Sequence, residues 1–163
     1  MEKEFLEAYE KYADALFRYC YFRLSDEEKA KDVVQDTFLK TWDYIAQGKS
    51  ITEMRAFLYR VASNCIVDQY RKRKTASLDY LQEKGFEPRL DTRGKLETEI
   101  EAKEVVEVLQ QLDEKYRDAF IMRYVGELSV KEIAGIFGEA ENTVSVHIHR
   151  AVKQVRVLLK HEG

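Results

Sequence analysis

The sequence predicts an all-α protein made of two small helical domains joined by a flexible linker, and three observations support that prediction. One proline and seven glycines among 163 residues are too few for the turns of a β-sandwich or barrel. Apolar residues recur every three or four positions along most of the chain, which is the period of an amphipathic α-helix. The stretch 75–96 lacks that period and holds the single proline, so we expect the linker there, between domains at 1–74 and 97–163.

The first domain carries three apolar stripes, at 5–24, 30–45 and 54–70. Amphipathic helices of this length can bury their stripes against one another, so the pattern predicts a helical bundle. Ser-x-x-Glu capping boxes beginning at Ser25 and Ser50 predict where the second and third helices start.

The second domain carries the pattern of four helices, of which the last two form a helix-turn-helix. Its first two stripes lie at 105–112 and 116–125. A third capping box at Ser129 opens a short helix, and Gly138 permits the sharp turn before the last helix. The residues expected to fix the packing of these two helices are Ile133, Ala134, Val144 and Ile148.

The charge of the chain is small but unevenly placed. A formal net charge of −3 argues against a uniformly basic nucleic-acid-binding protein. Cations nevertheless concentrate at 71–74, and from Asn142 onward four Lys/Arg and three His face a single acid, Glu162. No apolar run approaches the length of a membrane span and no signal peptide is present, so we expect a cytoplasmic protein without membrane insertion.

Few residues suggest enzyme or metal chemistry. Cys20 and Cys65 lie within helical apolar patterns and are expected to be buried, reduced thiols. His147 and His149 are two residues apart, a spacing that points them to different faces of a helix and disfavours joint ligation of a metal. With no nucleophile–base set, phosphate-binding loop or paired carboxylates, we expect no catalytic residue, cofactor or metal.

The exposed side of the last helix is the strongest candidate for binding. It carries hydrogen-bonding and cationic groups that suit base edges and phosphates in a major groove. The pattern alone is only moderately specific, because an ordinary solvated helix face has a similar composition. These residues are Asn142, Thr143, Ser145, His147, Arg150, Lys153 and Arg156.

Several segments, in order along the chain, resemble the extracytoplasmic-function sigma factors of bacterial RNA polymerase, a group within the sigma-70 family. The segment 32–42, DVVQDTFLKTW, is similar to the polymerase-binding helix of that family. The segment 55–74 is similar to its promoter-melting and −10-reading helix, and the segments 112–123 and 128–151 are similar to its −35-reading domain.

The resemblance implies a factor that directs core RNA polymerase to promoters, with a sigma2-like domain at 1–74 and a sigma4-like domain at 97–163. The implied partners are the β′ clamp helices and β flap of the polymerase, promoter DNA and an anti-sigma factor. The implied polymerase-binding residues are Asp32, Gln35, Asp36, Leu39 and Lys40. Those implied at the −10 element are Lys49, Arg55, Tyr59, Arg60, Asn64, Asp68, Arg71, Lys72, Arg73 and Lys74. Those implied at the −35 element are Asn142, Thr143, Ser145, His147, His149, Arg150 and Lys153.

The recognition helix departs from the family pattern. Ser145, Val146 and His147 stand where the family commonly has Lys-Ser-Arg. Ala140 replaces the usual serine cap, and Glu139 occupies a position that is usually apolar. These departures concern the individual −35 contacts rather than the presence of the module.

Two functions of other classes remain open on the residues alone. A transcription regulator could use the helix-turn-helix to bind duplex DNA without core polymerase, while the first domain senses a signal or dimerises. An interaction protein could retain the fold and titrate a partner. Dependence of DNA binding on core polymerase separates a sigma factor from both.

Overall fold

The structure is a computed structural model that describes residues 2–75 and 99–162, with side chains at 2–71 and 103–160. The predicted linker therefore lies outside the described residues, apart from Thr75. The chain divides into two compact units, Met1–Asp91 and Thr92–Gly163. All regular structure in the described ranges is α-helical, which confirms the predicted fold class.

The first unit contains three helices, α1 (Glu2–Leu24), α2 (Glu27–Ala46) and α3 (Met54–Thr75), each in contact with the other two. Most of the predicted stripe residues are buried where the helices meet. Burial of each large apolar side chain contributes about 1.5–3 kcal/mol, so this core is the main source of the unit's stability. The fully buried aliphatic side chains of the unit include Leu16, Val33, Leu58 and Ile66.

A buried polar network joins α1 to α3. The hydroxyls of Tyr19 and Ser63 are 2.7 Å apart and hydrogen-bonded. Arg23 donates from Nη1 to the Tyr19 hydroxyl at 2.8 Å, and Tyr70 donates its hydroxyl proton to the Arg23 carbonyl oxygen at 2.8 Å. Because buried polar groups need defined partners, this network fixes the rotation of α3 about its own axis.

The predicted capping boxes of the first unit are wrong, and a different residue starts α2. Asp26 is the N-cap, and its Oδ1 accepts a hydrogen bond from the Lys29 backbone N–H at 3.1 Å. Ser25 instead adopts a left-handed conformation, with φ of 58°, at the reversal between α1 and α2. Helix α3 begins at Met54, so Ser50 lies too far upstream to cap it.

The second unit contains α4 (Glu99–Gln110), α5 (Glu114–Tyr124), α6 (Val130–Phe137) and α7 (Glu141–Glu162). The third capping box is confirmed. Ser129 Oγ accepts from the Glu132 backbone N–H at 3.1 Å, and Glu132 Oε1 accepts from the Ser129 backbone N–H at 2.9 Å. Gly138 then reverses the chain with φ of 69°, a conformation that glycine adopts at little cost.

The core of the second unit matches the prediction at the helix-turn-helix and differs from it on α5. Ile133, Ala134, Val144 and Ile148 are all buried, as expected. Tyr124, expected in the core, is 53% exposed. Helix α5 packs against both α6 and α7, so its buried arc is wider than a single stripe and includes Ile121 and Met122.

Candidate nucleic-acid and partner surfaces

The predicted polymerase-binding residues lie together on the exposed face of α2. All five side chains are exposed, and their spacing of three and four residues places them on one side of the helix. Leu39 is 60% exposed, although Phe38 beside it is buried in the core. An exposed apolar residue within a polar rim is typical of a protein–protein contact. We call Asp32, Gln35, Asp36, Leu39 and Lys40 the α2 face.

The electrostatics of the α2 face are acidic at its N-terminal end. Partial burial raises the pKa of the Asp32 carboxyl, and the neighbouring carboxylates of Asp36, Glu28 and Asp26 raise it further. The buried Lys31 pairs with Glu27 and Glu28, with Nζ–Oε1 distances of 3.6 and 3.5 Å, which leaves Asp32 and Asp36 as the acidic groups of the face itself. The face therefore favours a partner with cationic side chains.

The other end of the α2 face reaches α3. Lys40 donates from Nζ to Cys65 Sγ at 3.6 Å. Cys20 and Cys65 are both free and buried, as predicted. Burial raises the pKa of each thiol, most strongly for Cys20, so both are protonated and poorly nucleophilic at neutral pH.

The predicted −10 residues on α3 fall into exposed and buried groups. Arg60, Asn64, Asp68 and Arg71 are exposed, and Arg55 is half-buried, with its guanidinium 5.9 Å from the centre of the Tyr59 ring. The side chains of Lys72, Arg73 and Lys74 lie outside the described residues. The exposed group offers cations and an amide, which suit phosphates and unstacked bases.

Tyr59 was predicted to contact the −10 element, but its side chain lies in the core of the first unit. Its side chain is 1% exposed and packs edge-on against Tyr19, with ring centroids 5.0 Å apart. Burial raises the pKa of Tyr59 to about 12. Helix α3 contacts both α1 and α2, so its buried arc extends one position beyond Leu58 and includes Tyr59.

An aromatic pair lies beside the loop that precedes α3, and only its Phe57 was predicted from the sequence, as part of the apolar stripe 54–70. Tyr44 and Phe57 are half-buried, with ring centroids 4.8 Å apart. Lys49, a predicted −10 residue in that loop, holds its Nζ 5.1 Å from the centre of the Tyr44 ring. The position of Tyr44, a few residues before this loop in the sequence, is the only signal that could have predicted its role.

The predicted −35 residues lie on two sides of α7. Ser145, His149 and Lys153 line an open groove of about 630 Å³ within the second unit. The groove has an apolar floor and a rim of cations, to which Arg123 and Lys160 also belong. Lys153 and Arg156 belong to the predicted basic face, and their spacing to Lys160 could have extended it by one residue. Arg123 lies on α5 and gave no such signal. The complete lining is Arg123, Tyr124, Val130, Ser145, Ile148, His149, Val152, Lys153, Arg156, Val157 and Lys160.

His147 and Arg150 lie on the other side of α7, against Tyr116 of α5. The rings of His147 and Tyr116 meet edge-on, with centroids 5.5 Å apart, and Arg150 donates from Nη1 to the Tyr116 hydroxyl at 3.3 Å. Glu139 Oε2 is 3.6 Å from His147 Nδ1. Two of the five residues that depart from the family pattern, Glu139 and His147, are therefore in contact with each other.

The remaining predicted −35 residues, Asn142 and Thr143, are exposed in the first turn of α7. Within the part of the chain that the structure describes, no group of three or more His, Cys, Asp or Glu side chains could hold a metal ion. No helix in that part is both long and apolar enough to cross a membrane.

Comparison with protein families gives two matches of the same kind. Residues 8–76 match the model for sigma-70 region 2, and residues 102–155 match the model for sigma-70 region 4. The extracytoplasmic-function (ECF) RNA polymerase sigma factor SigL of Mycobacterium tuberculosis is 29% identical over 156 residues, covering 95% of this chain and 88% of SigL. The ECF sigma factor SigW of Bacillus subtilis is 28% identical and covers 91% of this chain and 85% of SigW.

Solved structures show the same fold. The sigma factor RpoE, solved in complex with the anti-sigma factor NepR from Bartonella quintana, superimposes with a TM-score of 0.76 and 25% identity, covering 97% of this chain and 98% of RpoE. CnrH, solved with the cytosolic domain of CnrY, superimposes with a TM-score of 0.75 and 24% identity, covering 100% of this chain and 92% of CnrH.

Proposed function

Because this chain belongs to the sigma-70 family as an ECF sigma factor, we propose that it uses the α2 face to hold core RNA polymerase and α3 and α7 to select promoters. The observation that carries the proposal is the presence of two different surfaces on two separate units. One is acidic with an exposed leucine, which suits a protein, and the other is a cation-rimmed helix-turn-helix, which suits DNA. A sigma factor requires both, and the polymerase supplies the catalysis.

The first unit docks on the β′ clamp helices through the α2 face. Leu39 is the apolar anchor, and Asp32 and Asp36 pair with cations of the partner. Lys40 and Gln35 complete the polar rim. The exposure of all five side chains supports this assignment, since no repacking of the core is needed for contact.

Helix α3 and the loop before it engage the −10 element as it melts. Arg55, Arg60, Arg71 and the run 72–74 neutralise phosphates, and Lys49, Asn64 and Asp68 contact exposed bases or sugars. We propose no DNA contact for Tyr59, because its side chain is 1% exposed. The Tyr44–Phe57 pair provides ring surface next to Lys49 for an unstacked base.

Helix α7 reads the −35 element in the major groove, near the β flap. Asn142, Thr143 and Ser145 present hydrogen-bonding groups near its start. His147, His149, Arg150 and Lys153 follow along the helix, and the cations among them contact phosphates or guanine.

The functional boundaries that we propose are 1–74 for the sigma2-like domain, 75–96 for the linker and 97–163 for the sigma4-like domain. The family matches at 8–76 and 102–155 support them. A factor that works on bacterial RNA polymerase acts in the cytoplasm.

An anti-sigma factor controls access to these surfaces. RpoE, which shares the fold and 25% of its sequence with this chain, was solved in complex with one. The exposed Leu39 and the apolar floor of the α7 groove give such a partner places to bind on each unit.

Multi-round transcription from a pool of genomic promoter fragments, with core polymerase in the presence or absence of the protein, tests this function. We expect new transcripts that share −35 and −10 sequences. Duplex binding by the protein alone, without such transcripts, would instead favour the regulator. Activity in neither assay would favour the interaction protein.

A pair of leucine variants tests whether the polymerase contact is made by the α2 face. Leu39→Asp should abolish both core binding and transcription, because it places a charge at the centre of the α2 face. Leu6→Asp is the matched control, since Leu6 is 53% exposed on α1 outside that face. Equal losses in both variants would contradict the assigned surface.

A further inference from the structure

Val146 is an exposed apolar residue in the middle of the predicted reading face of α7, and we propose that it reads the methyl group of a thymine in the −35 element. The inference rests on the proposed function and adds a base-specific contact to it. Val146 is 45% exposed, whereas Val144 and Ile148 on the core side of the same helix are 1% and 9% exposed. Its side chain therefore does not contribute to the core.

The position of Val146 is defined by its four helical neighbours. Residues three and four positions away on either side share a face of an α-helix with it. For Val146 these are Asn142, Thr143, His149 and Arg150, which are all exposed and all predicted to contact the −35 element. Val146 thus lies at the centre of the set rather than at its margin.

The residues on either side of Val146 on the surface of α7 contact different parts of the second unit. On one side Ser145 and His149 line the cation-rimmed groove. On the other side Arg150 is hydrogen-bonded to Tyr116. Buried Val144 and Ile148 fix the rotation of α7, and a β-branched side chain has few rotamers in a helix. The two methyl groups of Val146 are therefore presented in a nearly fixed direction.

The chemistry of the side chain selects the ligand. Valine has no hydrogen-bond donor or acceptor, and the only apolar group on a base edge in the major groove is the C5 methyl of thymine. The four neighbours include a cation and no carboxylate, which favours a polyanion over a protein surface. Val146 replaces the serine that is common in the family, so the contact is a property of this chain.

The test removes the apolar groups of each partner in turn, the C5 methyl of thymine and the two methyl groups of Val146. Holoenzyme is assayed on the strongest promoter fragment from the transcription experiment, with each −35 thymine replaced singly by deoxyuridine. One replacement should lower −35-dependent initiation by wild-type protein about fourfold, the ratio expected for the burial of one methyl group. Val146→Ala should lower initiation on the unmodified promoter by a similar factor and should be insensitive to that same replacement.

Two further variants keep the result interpretable. Val146→Thr retains one methyl group and should retain part of the sensitivity. Val105→Ala is the matched control, because Val105 is 38% exposed on α4, does not line the groove and lies outside the predicted contacts. It should keep the full sensitivity to deoxyuridine.

Three outcomes would overturn the proposal. They are a −35 element without thymine, a wild-type response that no single thymine methyl changes, and a Val146→Ala response that retains the wild-type sensitivity. Failure of the proposed function is a separate result, since it would appear earlier as the absence of any holoenzyme-dependent transcript.

Discussion

Single residues in this protein show how burial separates structural from functional roles. Tyr59 and Asn64 both lie on α3 among residues that the family resemblance assigns to DNA, yet Tyr59 packs on Tyr19 and Asn64 is exposed. Sequence periodicity could not separate them, because the width of a buried arc depends on how many helices pack against it. On α2, which likewise packs against two helices, the five predicted face residues all lie opposite the apolar stripe and are exposed.

Asp32 is a residue at which we expect binding and stability to oppose each other. The pKa of its carboxyl is raised, so the folded protein disfavours the ionised form that is present at neutral pH. Asp32→Asn should therefore increase the Tm slightly at pH 7, within the 0.5 kcal/mol typical of surface changes, while weakening core binding.

The pH dependence fixes the sign of this prediction. A raised carboxyl pKa contributes stability below the unfolded value, near 3.8, and this contribution is lost as the pH rises through the folded value. The Tm advantage of Asp32→Asn should accordingly shrink as the pH is lowered toward 3.8. Glu10→Gln, an exposed carboxylate of α1, is the control. A lower Tm for Asp32→Asn at pH 7 would contradict the assignment.

At the scale of elements, helix starts were predicted well only where one residue could serve as the cap. The Ser129 box at α6 formed as expected, since its serine and glutamate have no better competitor nearby. At α2 the box failed because Asp26, one residue after Ser25, is an equally good N-cap and carries the charge that a helix N-terminus favours. The choice between adjacent caps depends on the turn, which a sequence pattern does not specify.

Gly138 sets the geometry of the helix-turn-helix through its backbone alone. A Cβ added there would meet no atom within 4 Å, so a substitution should act only through the positive φ. Gly138→Ala should lower the free energy of unfolding by about 1–2 kcal/mol and reduce −35-dependent initiation. Gly138→Asn should lose less, because asparagine tolerates this conformation.

Two optical signals show which unit is destabilised by the Gly138→Ala substitution. Circular dichroism reports the helices of both units, whereas the fluorescence of the only tryptophan, Trp42, reports the first unit. We expect Gly138→Ala to shift the dichroism transition and leave the Trp42 transition in place. Gly48→Ala, at the other glycine with positive φ and open surroundings among the residues that the structure describes, should shift the Trp42 transition instead. The reverse pattern would be evidence against local action at the turn.

At the scale of the whole molecule, the net charge of −3 conceals opposite local charges. The acidic end of the α2 face lies on one unit and the cationic rim of the α7 groove on the other. Phosphate contacts release counterions, so their number is measured by the salt dependence of binding. Such a molecule should bind promoters strongly only when the polymerase joins both surfaces in one complex.

The number of phosphate contacts made by the cations at the rim of the groove can be measured in this way. Arg156→Gln combined with Lys160→Gln should flatten the log–log salt dependence of promoter binding by holoenzyme, by about 0.9 for each phosphate contact that is lost. Lys103→Gln, an exposed cation on α4 that does not line the groove, should leave the slope unchanged. An unaltered slope in the double variant would remove these two cations from the DNA contact.

The reactivity of the native cysteines can be used to measure how often the first unit opens. Both cysteines of the chain lie in that unit, Cys20 on α1 and Cys65 on α3, and both are buried. An alkylating reagent can reach Cys20 only when the bundle opens, so its labelling rate measures the opening of this unit without any engineered probe. Cys65 contacts Lys40 of the α2 face, so its labelling also reports contact at that face. If polymerase or an anti-sigma factor stabilises the closed bundle, Cys20 will be labelled more slowly in the complex. The ratio of the labelling rates of free and bound protein will then give the extent of that stabilisation.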